Sequence, residues 1–593
     1  MKESGQPDDL GEGAGPPELR RPGSWRRSLL LFLFCLAVYN SNLRCIGAFD
    51  SLAASFLPSG LWRGDGLYLD RYAPHVPEVL RYSMYLSRHG HWVSLYPIVT
   101  PILVAPLYLP TAFFPQLRPD DPRHGEAIRL FMEKGAASIV AALSVLFLFW
   151  TLRRLTTERA ALGLVLVYAF GTSTWVISSQ ALWQHGPAEL FLAVSLYLLL
   201  DPRPEGGRAL LLGATAGLLT ANRPHDLFFS LAIAAIVVRR SGRRAWPFLV
   251  SSGALGLLLL LYNRYYFNTL FGGYVDYRQP NGTPLPVHLP ALPELAGLLV
   301  SNRGLLVFCP FLAVLLWRWP TRAPGSPPGR EREETLVLAA AWIATLLFHA
   351  CFSTWAGGYC YGPRYLTDGL PLLFVFLAGA WGRLGRAGRV LFATAAVYSV
   401  ALQAIGAFCY PGGDSGNASR GVWDVAHAGP VLAYQGSLQS PFFLPLVARP
   451  LMTGELTGPA DCRAEIRWAA PAPGEWPVDA VRDVRLRLTN RSPRFWSSLG
   501  GWFGKDAVRW IVRWQPAGRP PGEGLVQADA WLAWRLSPGD TSERAITVRS
   551  PPSPGEYTLT IEPGQSDRVR YRLFSERGVA PAVARVRVGG HRR

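Results

Sequence analysis

The residues best suited to chemistry are charged side chains set at the ends of apolar runs. Asp50, in CIGAFDSLAASFLP (residues 45–58), is the first acidic residue after Glu18. It sits where the first apolar run, Leu29 to Val38 and less cleanly on to Ile46, gives way to a loop rich in polar and aromatic residues. A carboxylate just beyond a membrane span is costly to bury and is usually kept for function. The plainer role for an Asp at such a boundary is a helix cap. Further polar residues fall at or near the same membrane face: Asp70 in LDRY, Glu133 and Lys134 in FMEKGAAS, His185 in LWQHGPAE, Arg223 in TANRPHD, Arg264, Arg303 in NRGLLVF, and Arg364, Tyr365 and Asp368 in YGPRYLTDGLP. Several basic side chains converging with one early carboxylate suit a lipid phosphate, since Arg grips two phosphate oxygens and Lys offers a point charge.

Each of these residues also has a structural role to weigh. Arg264 could snorkel to the interface, and Arg303 could pair with a neighbouring acid. His185 could be a buried, hydrogen-bonded histidine. Lys134 could pair with Glu133 or sit among headgroups, and Arg364 could pair with Asp368, one helical turn later. Arg364 is the hardest to dismiss, because GGYCYGPRYLTDGLP joins a Gly-rich backbone, tyrosines and an Arg between two apolar runs. No nucleotide-binding loop is visible.

The elements that must position these residues are membrane helices. The chain has 593 residues, of which 49% are hydrophobic, too apolar for a soluble enzyme of this size. Its formal charge of +18 would suit nucleic acid, but the arginines fall in short clusters between apolar runs, where the positive-inside rule places them. Membrane orientation therefore explains the charge, and no nucleic-acid partner is expected. The seven cysteines show no CxxC or metal spacing. Cys35, Cys309 and Cys351 lie in apolar runs, where a small hydrophobe is their default role. Cys360 and Cys409 fall near one membrane face, which leaves a disulfide between them open.

Residues 1–28 read as a disordered cytosolic tail before a signal anchor, with no small-residue cleavage site after the apolar run. Arg26 and Arg27 hold the N-terminus inside, so Asp50 is outside, and residues 47–129 form one large external loop. Within it, Tyr96 to Phe114 is long enough to span but carries four prolines, and reads as re-entrant or surface-lying. From Leu130 the runs alternate with arginine clusters. They are Leu130–Leu152, Ala160–Ser178, Pro187–Leu200, Ala209–Ala221, Leu227–Val238, Trp246–Tyr262, Leu305–Leu316, Leu336–Cys351, Leu370–Trp381 and Val390–Phe408. The expected fold is thus a polytopic α-helical membrane domain over residues 29–410 with about eleven spans. A linker (411–459) and an external all-β domain (460–593) follow. Alternation in Val484–Leu488 and Trp510–Trp514, and Pro-Gly turns within Leu536–Ile561, predict an immunoglobulin-like sandwich.

In order and placement these features resemble the GT-C superfamily of integral-membrane glycosyltransferases, which includes protein O-mannosyltransferases and the lipid A aminoarabinose transferase. Asp50 in GAFDS matches the early acid at the start of their large external loop. YPIVTPILVAPLY resembles their Pro-containing loop segment, and RLFMEKGAASIVAALSVLFLFWTLRRL the span after it. The resemblance covers roughly residues 29 to 410, more in architecture than in residue-level motif. It implies transfer of a sugar from a polyprenyl-phosphate donor, with inversion, to a lipid, glycan or protein acceptor at the extracytoplasmic face of the plasma (inner) membrane. Asp50 would be the base, and Arg364, Lys134, Arg223, His185, Arg303, Tyr365 and Asp70 would contact donor phosphate or sugar. Many relatives carry two adjacent acids where Asp50 is followed by Ser51; no cofactor or metal is expected, and a divalent-cation requirement is left open. The competing reading is a transporter or flippase of lipid-linked sugars, which would spread charges through the bilayer midplane and often show an internal repeat. No convincing repeat is found. A membrane anchor displaying the β domain is a third reading, and it leaves the basic set unexplained.

Overall fold

Where an apolar run closes on arginines, as at Arg153 and Arg154 or Arg239 and Arg240, the last turn of the helix carries positive charge that meets the negative end of the helix dipole. The computed structural model describes residues 25–47, 49–76, 83–121, 125–274, 287–318, 326–327, 329–352, 354–358, 360–410, 423, 453–498, 506–520, 522–532, 536–566 and 571–589. Most of the expected tail (1–24) and of the expected linker (411–422 and 424–452) lies outside the described residues. Helix α1 (Trp25–Asn40) begins inside the stretch read as tail. Arg27 meets Glu158 at 2.8 Å and Ser28 accepts a hydrogen bond from Trp150, so the first turn is held in place.

Asp50 does not stand in an irregular loop. It occupies the first turn of α2 (Phe49–Trp62), where a carboxylate complements the positive helix end. The proline-rich stretch that follows the β1 (Met84–Leu86) and β2 (Trp92–Ser94) hairpin forms no unbroken helix. It divides into α3 (Val99–Val104), a 3-10 turn (Ala105–Tyr108) and α4 (Pro110–Phe113). Each proline there removes a backbone donor from the helical ladder.

Helices then occupy every position where an apolar run was read as a span: α5 (Gly125–Leu155), α6 (Glu158–Gly171), α7 (His185–Leu198), α8 (Gly206–Asn222), α9 (Leu227–Ser241) and α10 (Trp246–Phe267). After them come α11 (Leu292–Val300), α12 (Leu305–Phe308), α13 (Val314–Trp317), α14 (Glu331–His349), α15 (Leu370–Trp381) and α16 (Arg386–Cys409). Among the described residues, Ile128–Leu155, Pro224–Phe267 and Arg386–Phe408 are long and apolar enough to cross a membrane, which gives three candidate spans by length and composition, or four if a bent helix pair counts as one. The run Leu305–Leu316, expected as one span, is broken: Leu292–Phe308 and Pro310–Trp317 meet at 104°. Pro310 cannot donate to the preceding turn, and the chain bends at Cys309. Cys360 is a buried free thiol, so the disulfide with Cys409 does not form; the Cys409 side chain lies outside the described residues.

Close helix packing relies on small residues. A Cβ on Gly213 of α8 would fall 2.2 Å from the Phe248 carbonyl oxygen and from Ser251 Oγ, both on α10. Helices α9 and α14 run antiparallel, tied at one end by Arg240 and Glu334 (3.0 and 2.6 Å) and at the other by the rings of His225 and His349.

The C-terminal region is all-β. Strands β3 (Ala464–Trp468), β5 (Val481–Asn490) and β8 (Thr541–Arg549) form a three-stranded antiparallel sheet. Strands β4 (Glu475–Pro477), β6 (Val508–Pro516), β7 (Val526–Trp531), β9 (Gly555–Ser566), β10 (Tyr571–Leu573) and β11 (Ala582–Gly589) form the other, in the order β4-β11-β9-β6-β7 with β10 on β9. In β5, Val484, Leu486 and Leu488 point inward and Arg485 and Arg487 outward, as the alternation predicts. Their core partners include Trp476, Trp510 and Trp514 from the six-stranded sheet. The stretch Leu536–Ile561, in which the sequence predicts the turns, holds the bridge from Leu536 to Trp496, the strand β8 and the first part of β9.

Candidate active site

The loop between α14 and α15 is the keystone of the site. Gly357, Gly358 and Gly362 have φ of +83°, +64° and +79°, a region that favours glycine, and a Cβ on Gly362 would press on the Phe308 ring at 3.0 Å. Arg303 braces this loop by donating to the carbonyls of Ala356 (3.1 Å) and Gly358. It pairs with backbone oxygens rather than with a neighbouring acid.

The folded loop carries Arg364 to Asp50, with Nη1 to Oδ2 at 2.7 Å. Tyr96 donates its hydroxyl to the other carboxylate oxygen at 2.9 Å. The guanidinium lies over the rings of Trp183 (4.9 Å) and Tyr365 (5.1 Å), and its Nε is buried without an acceptor among the described residues. The Asp50 side chain keeps 30% exposure against 11% for Arg364, so the carboxylate is the accessible member. Arg364 does not pair with Asp368. Residues Arg364–Leu366 make only a 3-10 turn, and Asp368 points elsewhere.

Asp368 anchors a second cluster, fully buried. Its Oδ1 meets His185 Nδ1 at 2.7 Å, and its Oδ2 meets Arg223 Nε at 2.7 Å and His225 Nε2 at 3.3 Å. Burial alone would push this carboxyl up, but the Arg223 guanidinium and His185 outweigh it and hold the group well below the usual carboxylate range. Asn222 positions the two basic partners: it donates to the Gln184 carbonyl beside His185 and accepts from Thr100 of α3, each at 2.7 Å. Ser173 and Thr367 hydrogen-bond at 2.8 Å and fix the other side of the loop. His185 is thus the buried, hydrogen-bonded histidine that its sequence context allowed.

An aromatic row joins the two clusters. Tyr365 stacks flat on His349 at 4.8 Å, and His349 meets His225 edge-on at 4.6 Å. Next to His225 stands Asp226, also fully buried. His225 Nε2, Asp226 and Asp368 offer ligand atoms within 4.8 Å of one another, a set that could hold a metal ion. Tyr96, His225, Asp226 and His349 escaped the sequence reading. His225 and Asp226 sat in the quoted TANRPHD motif beside Arg223, and Tyr96 opens the proline-rich segment. His349, inside an apolar run, carried no signal of its own.

The remaining candidates have other hydrogen-bond partners than Asp50. Lys134 donates to Gln180 Oε1 at 2.5 Å, and Asn42 donates to the same oxygen at 2.7 Å. Glu133 pairs with Arg129 at 2.9 Å and accepts from the Leu182 amide, which removes the expected Glu133–Lys134 pairing. Asp70 binds His91 Nδ1 at 2.7 Å and the Trp92 amide at 2.8 Å, which ties it to the β1–β2 hairpin. Arg264 bonds to Asn268 on its own helix end. No family model and no curated protein sequence matches this chain.

Proposed function

We propose that this protein is a membrane glycosyltransferase of the GT-C type. It moves a sugar from a polyprenyl-phosphate donor to a lipid, glycan or protein acceptor at the extracytoplasmic face, with inversion. The observation that carries this reading is the Asp50–Arg364 pair: an accessible carboxylate held by a guanidinium that retains a buried, unsatisfied donor. Asp50 takes the proton of the acceptor hydroxyl as its oxygen attacks the anomeric carbon. The bond from that carbon to the phosphate oxygen breaks on the opposite face, and the electron pair leaves with the lipid phosphate. Arg364, turning partly from Asp50, meets the charge that develops there. The Trp183 and Tyr365 rings hold the guanidinium plane from which it does so. His185 and Arg223, committed to Asp368, set the loop on which Arg364 is mounted. Membrane lipids and a lipid-borne donor are the expected partners.

Purified protein incubated with a panel of polyprenyl-phosphate sugars and an acceptor mixture should release free polyprenyl phosphate from at least one donor. Movement of intact lipid-linked sugar across vesicles, with no lipid phosphate released, would favour the flippase reading instead.

A further inference from the structure

His225 and Asp226 enter α9 together, and the loop before α15 lays Asp368 against both. Asp226 has no exposed surface, and neither of its carboxylate oxygens accepts a hydrogen bond from the described residues. His225 Nε2 stands 3.6 Å from Asp226 Oδ1 and 3.3 Å from Asp368 Oδ2. Arg223 balances one carboxylate, Asp368, while Arg364 is committed to Asp50. One buried negative charge is therefore left over, and a buried charge is expensive unless something neutralises it.

We propose that His225, Asp226 and Asp368 form a cation site for a zinc-class divalent ion. Ligand atoms about 2.1 Å from a tetrahedral ion stand about 3.4 Å apart, which is the spacing His225 Nε2 keeps from the two carboxylates. Octahedral Mg2+ at a similar bond length would want neighbours about 3.0 Å apart and prefers an all-oxygen set. The ligands have supporting partners: His185 holds the second oxygen of Asp368, and Arg223 Nε meets its ligating oxygen at 2.7 Å and stands 3.4 Å from His225 Nε2. His349 Nε2, buried and without a partner among the described residues, belongs to the ring packed edge-on against His225. The three residues leave a fourth position for water or another ligand. The site is distinct from Asp50, and the rival neutraliser is a single proton on Asp226.

The probe is Co2+, whose four-coordinate complexes absorb intensely in the visible range. Purified protein stripped with chelator and titrated with Co2+ should develop that band and saturate at a single equivalent. Asp226→Asn and His225→Gln should each lose it, and His91→Ala, at the exposed Asp70–His91 pair, should keep it. Asp226→Cys should add a thiolate-to-cobalt charge-transfer band in the near ultraviolet, a gained signal that misfolding cannot imitate. No saturable band in the wild type, an unchanged titration in the Asn and Gln variants, or no charge-transfer band in Asp226→Cys would overturn the site and leave the proton. The readout uses no sugar donor, so it stands or falls separately from the transferase reading.

Discussion

Asp50 and Arg364 are 314 residues apart in the chain and 2.7 Å apart in space, while Arg364 and Asp368, four residues apart, do not bond. Double-mutant cycles should reproduce this. Asp50→Asn and Arg364→Ala should couple by roughly 0.5–3 kcal/mol, and more strongly than Arg364→Ala with Asp368→Asn, which share a loop but no bond. Arg364→Lys should weaken donor use, because an ammonium cannot hold Asp50 and reach a phosphate with a second fixed donor. Asp368→Asn should instead lower stability by about 3–5 kcal/mol, read as a drop in melting temperature, since it strands Arg223 in the interior. The structural partner that the sequence offered Arg364, Asp368, is not the one it meets in the fold. Spacing of i to i+4 implies contact only on an α-helix, and this segment is a single 3-10 turn after three left-handed glycines.

At the scale of elements, the contact between α8 and α10 is set by the absence of a side chain. Gly213→Ala should destabilise by about 1–3 kcal/mol, as overpacking against a backbone carbonyl does, and detergent-solubilised protein should melt earlier. Gly163→Ala, with nothing within 4 Å of its Cβ, should be neutral or slightly stabilising. Helix positions were legible because apolar runs and arginine clusters report burial and termini directly. Three features were not. The Pro310 bend needed the geometry of the run before it, and Asp50's helix is short and carries Pro58 within it. The third, His349, is drawn into the site by stacking on Tyr365, a contact between elements that no local pattern encodes.

For the whole molecule, buried ion pairs mark two layers. Arg240–Glu334 lies at one end of the α9–α14 pair and Arg223–Asp368 at the other, and from Leu227 to Arg240 α9 rises about 20 Å. Charges at the two ends rather than between them support a transferase over a conduction path. The proposed orientation puts the Asp50 end outside. With Cys45 and Cys351 replaced by Ser, an impermeant thiol reagent should label His89→Cys from outside intact cells and leave Glu205→Cys and Arg243→Cys untouched; the reverse pattern would invert the topology. The most direct test of the account is lipid-phosphate release by Asp50→Asn beside the wild type, with donor binding measured on both. The account predicts a loss of at least ~10²-fold in turnover with donor binding and melting temperature kept, as removal of a general base requires. Near-normal release by Asp50→Asn would contradict it.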